Sequence, residues 1–508
     1  MNRTVALLLV ACAVLSAQAP LRVAGFLVDA VTGEPVRRAN VALQYVSGSQ
    51  AGQALQMAMS DAGGHFEFPA LGAGKYRLWA ERRGYPKQEF SPATGLVITA
   101  DNTDLSFRLS PYAALTGTVV DENGDTISGV GIQLIRSEIQ GGRREFRPAL
   151  STVTDDRGEY RVASLVSGRY YVSAYARAQA VAEDTTYGRR FFPAAPNLLS
   201  AAALELEPGS NQRADFRLQP EPAFHIRGQV AGAGELSGLS VTLAPRTAAE
   251  SFGGNGYTSR FTGEGRFEIA GVTPGQYVLT ASAYKGLLVQ TTTQLVAVGA
   301  ADLEGVVLTP GPLPEIAGHI TVDQQGSAPV LAVAQVGIRL DPTDSITRAV
   351  LTATVRDDRT FVIPQAAPGE YALRVSVPEP YYVTAASAGG LDLLSTPISV
   401  PVGPIEITLG QNGGEVNGTV KVQDKPAANC VVMLTKGTAQ NKFVTTDANG
   451  RFLVRALPAG EYTAYAWRDV AQVEYRNPQA LRQYSGAGVT VAEGAKQTVD
   501  LQLNGTLQ

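Results

Sequence analysis

Residues able to do chemistry are few in this sequence, and they stand apart. The three histidines, His65, His225 and His319, lie far from one another along the chain. None has a Glu or a second His at the short spacing a zinc site requires. Each reads as an ordinary surface or strand residue, so neither a metal nor a cofactor is expected. The acidic run "DENGD", Asp121 to Asp125, offers three carboxylates and an amide to a calcium ion. Calcium takes roughly six to eight oxygens in a defined cage, and the run lacks the spacing that builds one, so a hairpin turn is expected. Asp155-Asp156 and Asp357-Asp358 are likewise turn residues first. No Gly-x-Ser-x-Gly elbow, phosphate loop or zincin helix is present, and no catalytic residue is assigned.

What remains is one thiol and three aromatic rings. Cys430 calls for a small apolar slot, because free Cys commonly packs as a small hydrophobe; a reactive thiol is the competing reading. Trp79, Tyr175 and Trp467 are the ligand-binding candidates. Strand alternation points all three away from the core. Flat exposed rings suit sugar faces through apolar contact and CH–π stacking, and they suit protein interfaces as well. The alternative is that they pack under their own long loops or against the next unit.

The elements that would position these rings recur five times. An aromatic stands at Phe66, Tyr160, Phe267, Phe361 and Phe452, with a tyrosine ten residues later at Tyr76, Tyr170, Tyr277, Tyr371 and Tyr462. A glycine precedes each of those tyrosines by two residues. Alternation after the first aromatic (Phe66/Phe68, Tyr160/Val162, Phe267/Ile269, Phe361/Ile363, Phe452/Val454) marks a half-buried strand. Before it, "DAGG", "DDRG" and "DANG" supply Asp and Gly at the ends of a type I turn. The third and fourth copies depart from this, with Thr262 and with Arg356 and Arg359, and a different turn is expected in both. The Gly-x-Tyr element opens the next strand, and its Tyr can tie a hydroxyl back across the corner.

An upstream phrase, "GFLVDAVTGEPVRRANVAL" in the first copy, reads strand, turn, strand. Units of about 90–110 residues with roughly seven short strands and no long amphipathic helix are the signature of a β-sandwich. The predicted fold is therefore all-β, a tandem array of five Ig-like, transthyretin-like sandwiches behind an N-terminal signal. Short Pro-containing joints divide it into 1–19 (signal peptide), 20–112, 113–221, 222–312, 313–411 (divergent) and 412–508. The second and fourth units carry extra loops, "YGRRFFPAAPNLLSAAA" and "EPYYVTAASAGGLDLLS".

The first residues, "MNRTVALLLVACAVLSAQAP", place a basic Arg3 before an apolar run and small residues around Gln18. That is the layout of a secretory signal cleaved after Ala19, in a run too short to span a bilayer. A lipoprotein box at Leu9 to Cys12 would leave an unusually short apolar core. Export would leave Cys430 as the single thiol, so the sandwiches must stand on apolar cores. A net charge of −4 with no long basic run excludes a strong electrostatic case for nucleic acid.

The "G-x-V-x-D…G-x-P…V-x-L" opening, the "T-D-x-x-G-x-F" turn and the "G-x-Y" corner resemble the carboxypeptidase regulatory-like family. These are transthyretin-like sandwiches grouped with starch-binding-like and collagen-adhesin B-type domains. The first, second and fifth units match best. Fold follows from such a likeness more readily than function. It implies a non-catalytic exported protein, periplasmic, cell-surface or secreted and not membrane-spanning, with carbohydrate binding as its most specific activity. The alternative is a spacer or protein-interaction scaffold that uses exposed sandwich edges and loops. A polysaccharide or an envelope protein is the expected partner. The collagen-adhesin isopeptide needs an acid four residues after the corner tyrosine. Ala80, Ala174, Ala281, Val375 and Ala466 occupy that position, and no isopeptide is expected.

Overall fold

The computed structural model describes residues 20–48, 55–90, 96–175, 184–246, 257–323, 330–343, 350–436 and 440–505. The expected signal segment lies outside them. The fold is all-β. Among the described residues, helix is limited to one turn at Pro478–Leu481 and three 3-10 turns, at Leu198–Ser200, Ala233–Glu235 and Val333–Gln335. The chain divides into two compact units. One comprises Met1–Leu115, Arg161–Gly168 and Glu205–Arg213, the other Thr116–Tyr160, Arg169–Leu204 and Ala214–Gln508.

In the first unit, Leu21–Asp29 pairs antiparallel with His65–Leu71 and parallel with Asn102–Leu109. The facing sheet runs Gln56–Met59, Asn40–Gly48, Gly74–Arg82, Tyr85–Phe90, with Leu96–Ile98 also on Gly74–Arg82. Inward residues of both sheets, among them Val23, Leu27, Phe66, Phe68 and Leu78, form one buried core, as the alternation requires.

The second unit repeats this plan. Phe224–Val230 pairs antiparallel with Arg266–Val272 and parallel with Leu303–Leu308. Ile316–Val322 is held by Thr360–Ile363 and Ile405–Gly410 in the same two senses. Gly414–Val422 is held by Arg451–Leu457 and, in parallel, by Lys496–Thr498 and Leu501–Gln502. Ala113–Val120 likewise runs parallel to Phe216–Arg217. Separate apolar cores fall within residues 226–308, 316–409 and 416–501.

This parallel closure explains the glycine that opens each repeat. Gly25, Gly228, Gly318 and Gly418 sit directly opposite the motif aromatics Phe66, Phe267, Phe361 and Phe452. A Cβ at Gly228 would stand 2.7 Å from Phe267 Cζ, and one at Gly418 would stand 2.7 Å from the carbonyl carbon of Val499. At Gly117 the nearest obstruction is the carbonyl oxygen of Ala214, with Tyr160 Cε1 at 2.7 Å. Strand glycines of this kind mark close approach of a neighbouring backbone.

The corner tyrosines behave as the sequence implies. The hydroxyls of Tyr76, Tyr277, Tyr371 and Tyr462 donate to the carbonyls of Gly72, Thr273, Ala367 and Pro458, at 2.8, 2.8, 3.0 and 2.8 Å. The Asp turns are alike too. In each of Asp61, Asp155 and Asp447 one carboxylate oxygen accepts backbone N–H groups two and four residues on. Before the Asp stands a buried hydroxyl, in Ser60, Thr154 or Thr446. It donates to the carbonyl of Val36, Ile127 or Ala427 and accepts from the N–H of Ala39, Val130 or Cys430.

Two expectations are corrected. In the fourth repeat the turn is the same one. Arg356 N donates to Thr360 O and Arg359 N to Arg356 O, as their counterparts do at Asp447, but Arg359 takes the left-handed conformation (φ 66) without a glycine. The third repeat does differ, with Glu264 and Gly265 both left-handed. The "EPYYVTAASA" stretch is not a loop: Tyr382–Ala388 is a strand paired antiparallel with Ile405–Gly410.

Candidate functional site

The three candidate rings meet different fates. Trp79 lies on the outer face of its sheet, half-exposed, with Lys87 Nζ 4.2 Å above the ring. Tyr175 is half-buried, with one face against Gly131 and Arg189 4.5 Å from the ring centroid. Arg189 comes from the "YGRRFFPAAP" loop and hydrogen-bonds Gln133 and Ser173; burial pushes its guanidinium down to about 10. The loop over this strand thus covers Tyr175.

The expected exposure of Trp467 is corrected. Its ring points away from the sandwich core yet is 0% exposed. It stacks on Tyr465 at 5.4 Å and meets Tyr484 edge-on. With Met433, Val473 and Leu481 it forms a satellite core under residues 468–486. That segment folds over the sheet through the short helix Pro478–Leu481, whose N-cap Asn477 accepts from Gln479 N.

The other chemistry-bearing groups are structural. Cys430 is fully buried in its apolar slot, and burial pushes its thiol up. Asp121 accepts the N–H groups of Asn123 and Asp125, closing the "DENGD" hairpin turn. His225 Nδ1 lies 3.0 Å from Glu268, which also binds Arg227; His65 packs on Phe26. Among the described residues no three His, Cys, Asp or Glu side chains come together to hold a metal. No helix among them is long and apolar enough to cross a membrane.

The concave site is one that no repeat shows by itself. A cavity of about 710 Å³ opens within the second unit, inside the range of roughly 300–1,000 Å³ that small-molecule sites occupy. Strands Gly337–Pro342 and Gly369–Ser376 form one wall, and Gln440–Thr445 with the Leu457-Pro458 corner forms the other. Tyr382, Phe443, Tyr462 and Tyr475 face it, as do Arg339, Arg374, Lys442 and Arg476. Tyr475 meets Phe443 edge-on at 5.0 Å and is backed by Gly142, where a Cβ would clash with its ring. Arg476 N donates to Gly142 O at 2.9 Å, and Arg144 pairs with Glu474 at 3.1 Å. The hairpin turn at Gly141-Gly142 therefore fixes one rim.

Charge at the cavity is lopsided. Asp341 pairs with Arg339 at 3.0 Å and reaches Arg374 at 3.5 Å, but among the described residues no carboxylate lines the space. Burial pushes the Arg374 guanidinium down, and the nearby Arg476 and Arg143 push it further. Lys442 is solvent-accessible, yet surrounding protein mass holds its ammonium below the usual lysine range. An accessible amine amid protein on several sides is what an open cavity produces.

These residues carry no local signal in the sequence, because they come from repeats about a hundred positions apart. "EPYYVT", which contributes Tyr382, is the one hint, as part of one of the two stretches that exceed the shared repeat pattern.

Comparison with known proteins gives a family and a set of distant folds. The model of the carboxypeptidase regulatory-like domain matches residues 22–110, 114–219 and 415–504, together more than half of the chain. No curated protein matches the sequence. Among solved structures, the minor pilin GBS52 of Streptococcus agalactiae is 14% identical over 40% of this chain and 97% of its own, with a TM-score of 0.25. A streptococcal ancillary pilin is 14% identical over 58% of this chain and 99% of its own (TM-score 0.20). The Bacillus anthracis TIE protein is 9% identical over 92% of this chain and 68% of its own (TM-score 0.17).

Proposed function

This chain belongs to the carboxypeptidase regulatory-like domain family, and from that premise we propose that it is an exported, non-catalytic binding protein whose ligand is a carbohydrate. The five-unit division and the signal at residues 1–19 are part of this proposal. The observation that carries it is the cavity in the second unit. Rings at Tyr382, Phe443 and Tyr475 and the amide of Asn441 line one concave space, and rings beside polar groups are what sugar recognition needs. Trp79 is retained as a secondary contact on the first sandwich. Tyr175 and Trp467, being covered, would contribute only if their loops moved.

The test is a glycan array and polysaccharide pull-down on the purified chain, beside a Tyr382→Ala/Tyr475→Ala variant and a Trp79→Ala variant. Saturable binding to one polysaccharide class, lost in the double variant, is the expected result. Binding by neither protein to any glycan would reject the carbohydrate reading.

A second reading, a protein-interaction scaffold, draws on one specific feature. Among the described residues Gln56–Met59 is an edge strand, with Leu55, Met57 and Met59 exposed by 51, 56 and 64%. An open apolar edge is a template for an added strand. Pro in place of Met57 would abolish such pairing and leave glycan binding intact.

A further inference from the structure

We infer that the cavity of the second unit selects an acidic saccharide, one whose carboxylate is held between Arg374, Lys442 and Arg476 while a sugar face lies on Tyr475. The inference rests on the carbohydrate reading above and adds the charge of the ligand.

Geometry and charge carry it together. Among the described residues, four cations, Arg339, Arg374, Lys442 and Arg476, line the cavity, and no acid does. The whole chain carries a net charge of −4, so this concentration of positive charge runs against the composition. Among the described residues, the carboxylates nearest to it are already committed or stand outside. Asp341 serves Arg339 and Arg374, Glu145 pairs with Arg147 at 2.9 Å, and Glu379 only approaches Lys442. Neither Lys442 nor Arg476 forms a salt bridge among the described residues. Arg143, at the rim, adds a fifth cation close enough to depress Arg374. Like charges gathered in a partly enclosed space are costly unless an anion joins them.

The rest of the lining argues for a sugar rather than a bare anion. Asn441 has a buried side-chain oxygen with no hydrogen-bond partner among the described residues, an acceptor suited to a hydroxyl. Such an atom usually finds a partner. Tyr475 and Phe443, fixed edge to face, supply a rigid apolar wall that an inorganic ion would leave unused. Arginine and carboxylate match in a planar, charge-assisted fork, while Lys442 acts as a point charge.

The experiment is calorimetric titration of the purified chain with trigalacturonic acid, its neutral methyl ester and short poly-glutamate, at low and moderate salt. The acid should bind saturably and at least about tenfold more tightly than the ester, a ratio worth 1.4 kcal/mol. That advantage should shrink with salt, as screening of an open site requires. Lys442→Gln/Arg476→Gln, which breaks no salt bridge among the described residues, should remove it. Arg476→Lys, keeping charge without the fork, should retain part of it.

Equal binding of acid and ester, or an unchanged acid preference in the double variant, would overturn the inference and leave the carbohydrate reading standing. Binding of poly-glutamate with neither saccharide bound would overturn both, and would identify the cavity as a site for acidic peptide.

Discussion

Replacing Gly418 by Ala adds one methyl group, and the structure says where it must go. The new Cβ would sit 2.7 Å from the carbonyl carbon of Val499, closer still to its oxygen, and 3.0 Å from Phe452 Cε1. Carbon atoms rest at roughly 3.5–4.0 Å, so the closing segment must retreat by about 1 Å or the buried ring must turn. Retreat would strain the hydrogen bond from Val499 N to Asn417 O, 2.9 Å long. Overpacking costs about 1–3 kcal/mol, and a lost backbone bond costs roughly 1 kcal/mol more. The reduced freedom of the unfolded chain returns about 0.4–1 kcal/mol.

The net is a loss of about 1–3.5 kcal/mol confined to the fifth sandwich. Gly488→Ala is the control: it lies in a strand of the same sandwich with nothing within 4 Å of its Cβ position. Native-state hydrogen exchange suits a multidomain chain that need not unfold in one step. Peptides covering Gly414–Val422 should exchange roughly 5–300-fold faster in Gly418→Ala, at 1.4 kcal/mol per decade. They should exchange no faster in Gly488→Ala. Equal exchange in the two variants would refute the close-approach explanation for all five opening glycines.

Three further outcomes are expected. Thr446→Val should destabilise the fifth sandwich by about 1–3 kcal/mol in denaturant unfolding, since it orphans the buried Cys430 N–H and Ala427 carbonyl; Thr446→Ser, the residue type at Ser60, should cost much less. Burial raises Tyr462 from 10 to about 12. Its contribution is therefore complete below the unfolded value near pH 10 and lost as pH rises through about 12, so the denaturation midpoint of the wild type should fall more between pH 9 and 11 than that of Tyr462→Phe. Arg359→Gly should leave the fourth sandwich as stable or up to ~1 kcal/mol more so by calorimetry, because it relieves a left-handed residue while loosening the unfolded chain.

What could be read from the sequence was whatever repeats locally. Period-two alternation placed Phe66, Phe267, Phe361 and Phe452 in cores, and they are buried there. The Gly-x-Tyr spacing anticipated hydroxyls tied across the corner, and the habit of free Cys to pack as a small hydrophobe anticipated the apolar slot of Cys430. Features that depend on distant chain were not legible. The role of Gly418 needs Val499, some eighty positions on. Alternation gives the face of Trp467 but not its cover, since residues 468–486 carry no period of their own. At Arg359 the backbone ladder of the sandwich imposes the turn on a residue that does not favour it. The cavity joins residues of two repeats, each of which reads as an ordinary strand residue.

The central claim is that a saccharide occupies the cavity of the second unit. The most direct measurement is hydrogen–deuterium exchange of the purified chain with and without the polysaccharide it retains in pull-down. Protection should concentrate in residues 373–377, 441–443 and 475–476, with little change around Trp79. Saturable binding with those three segments unprotected would contradict the claim, whichever other surface was protected instead.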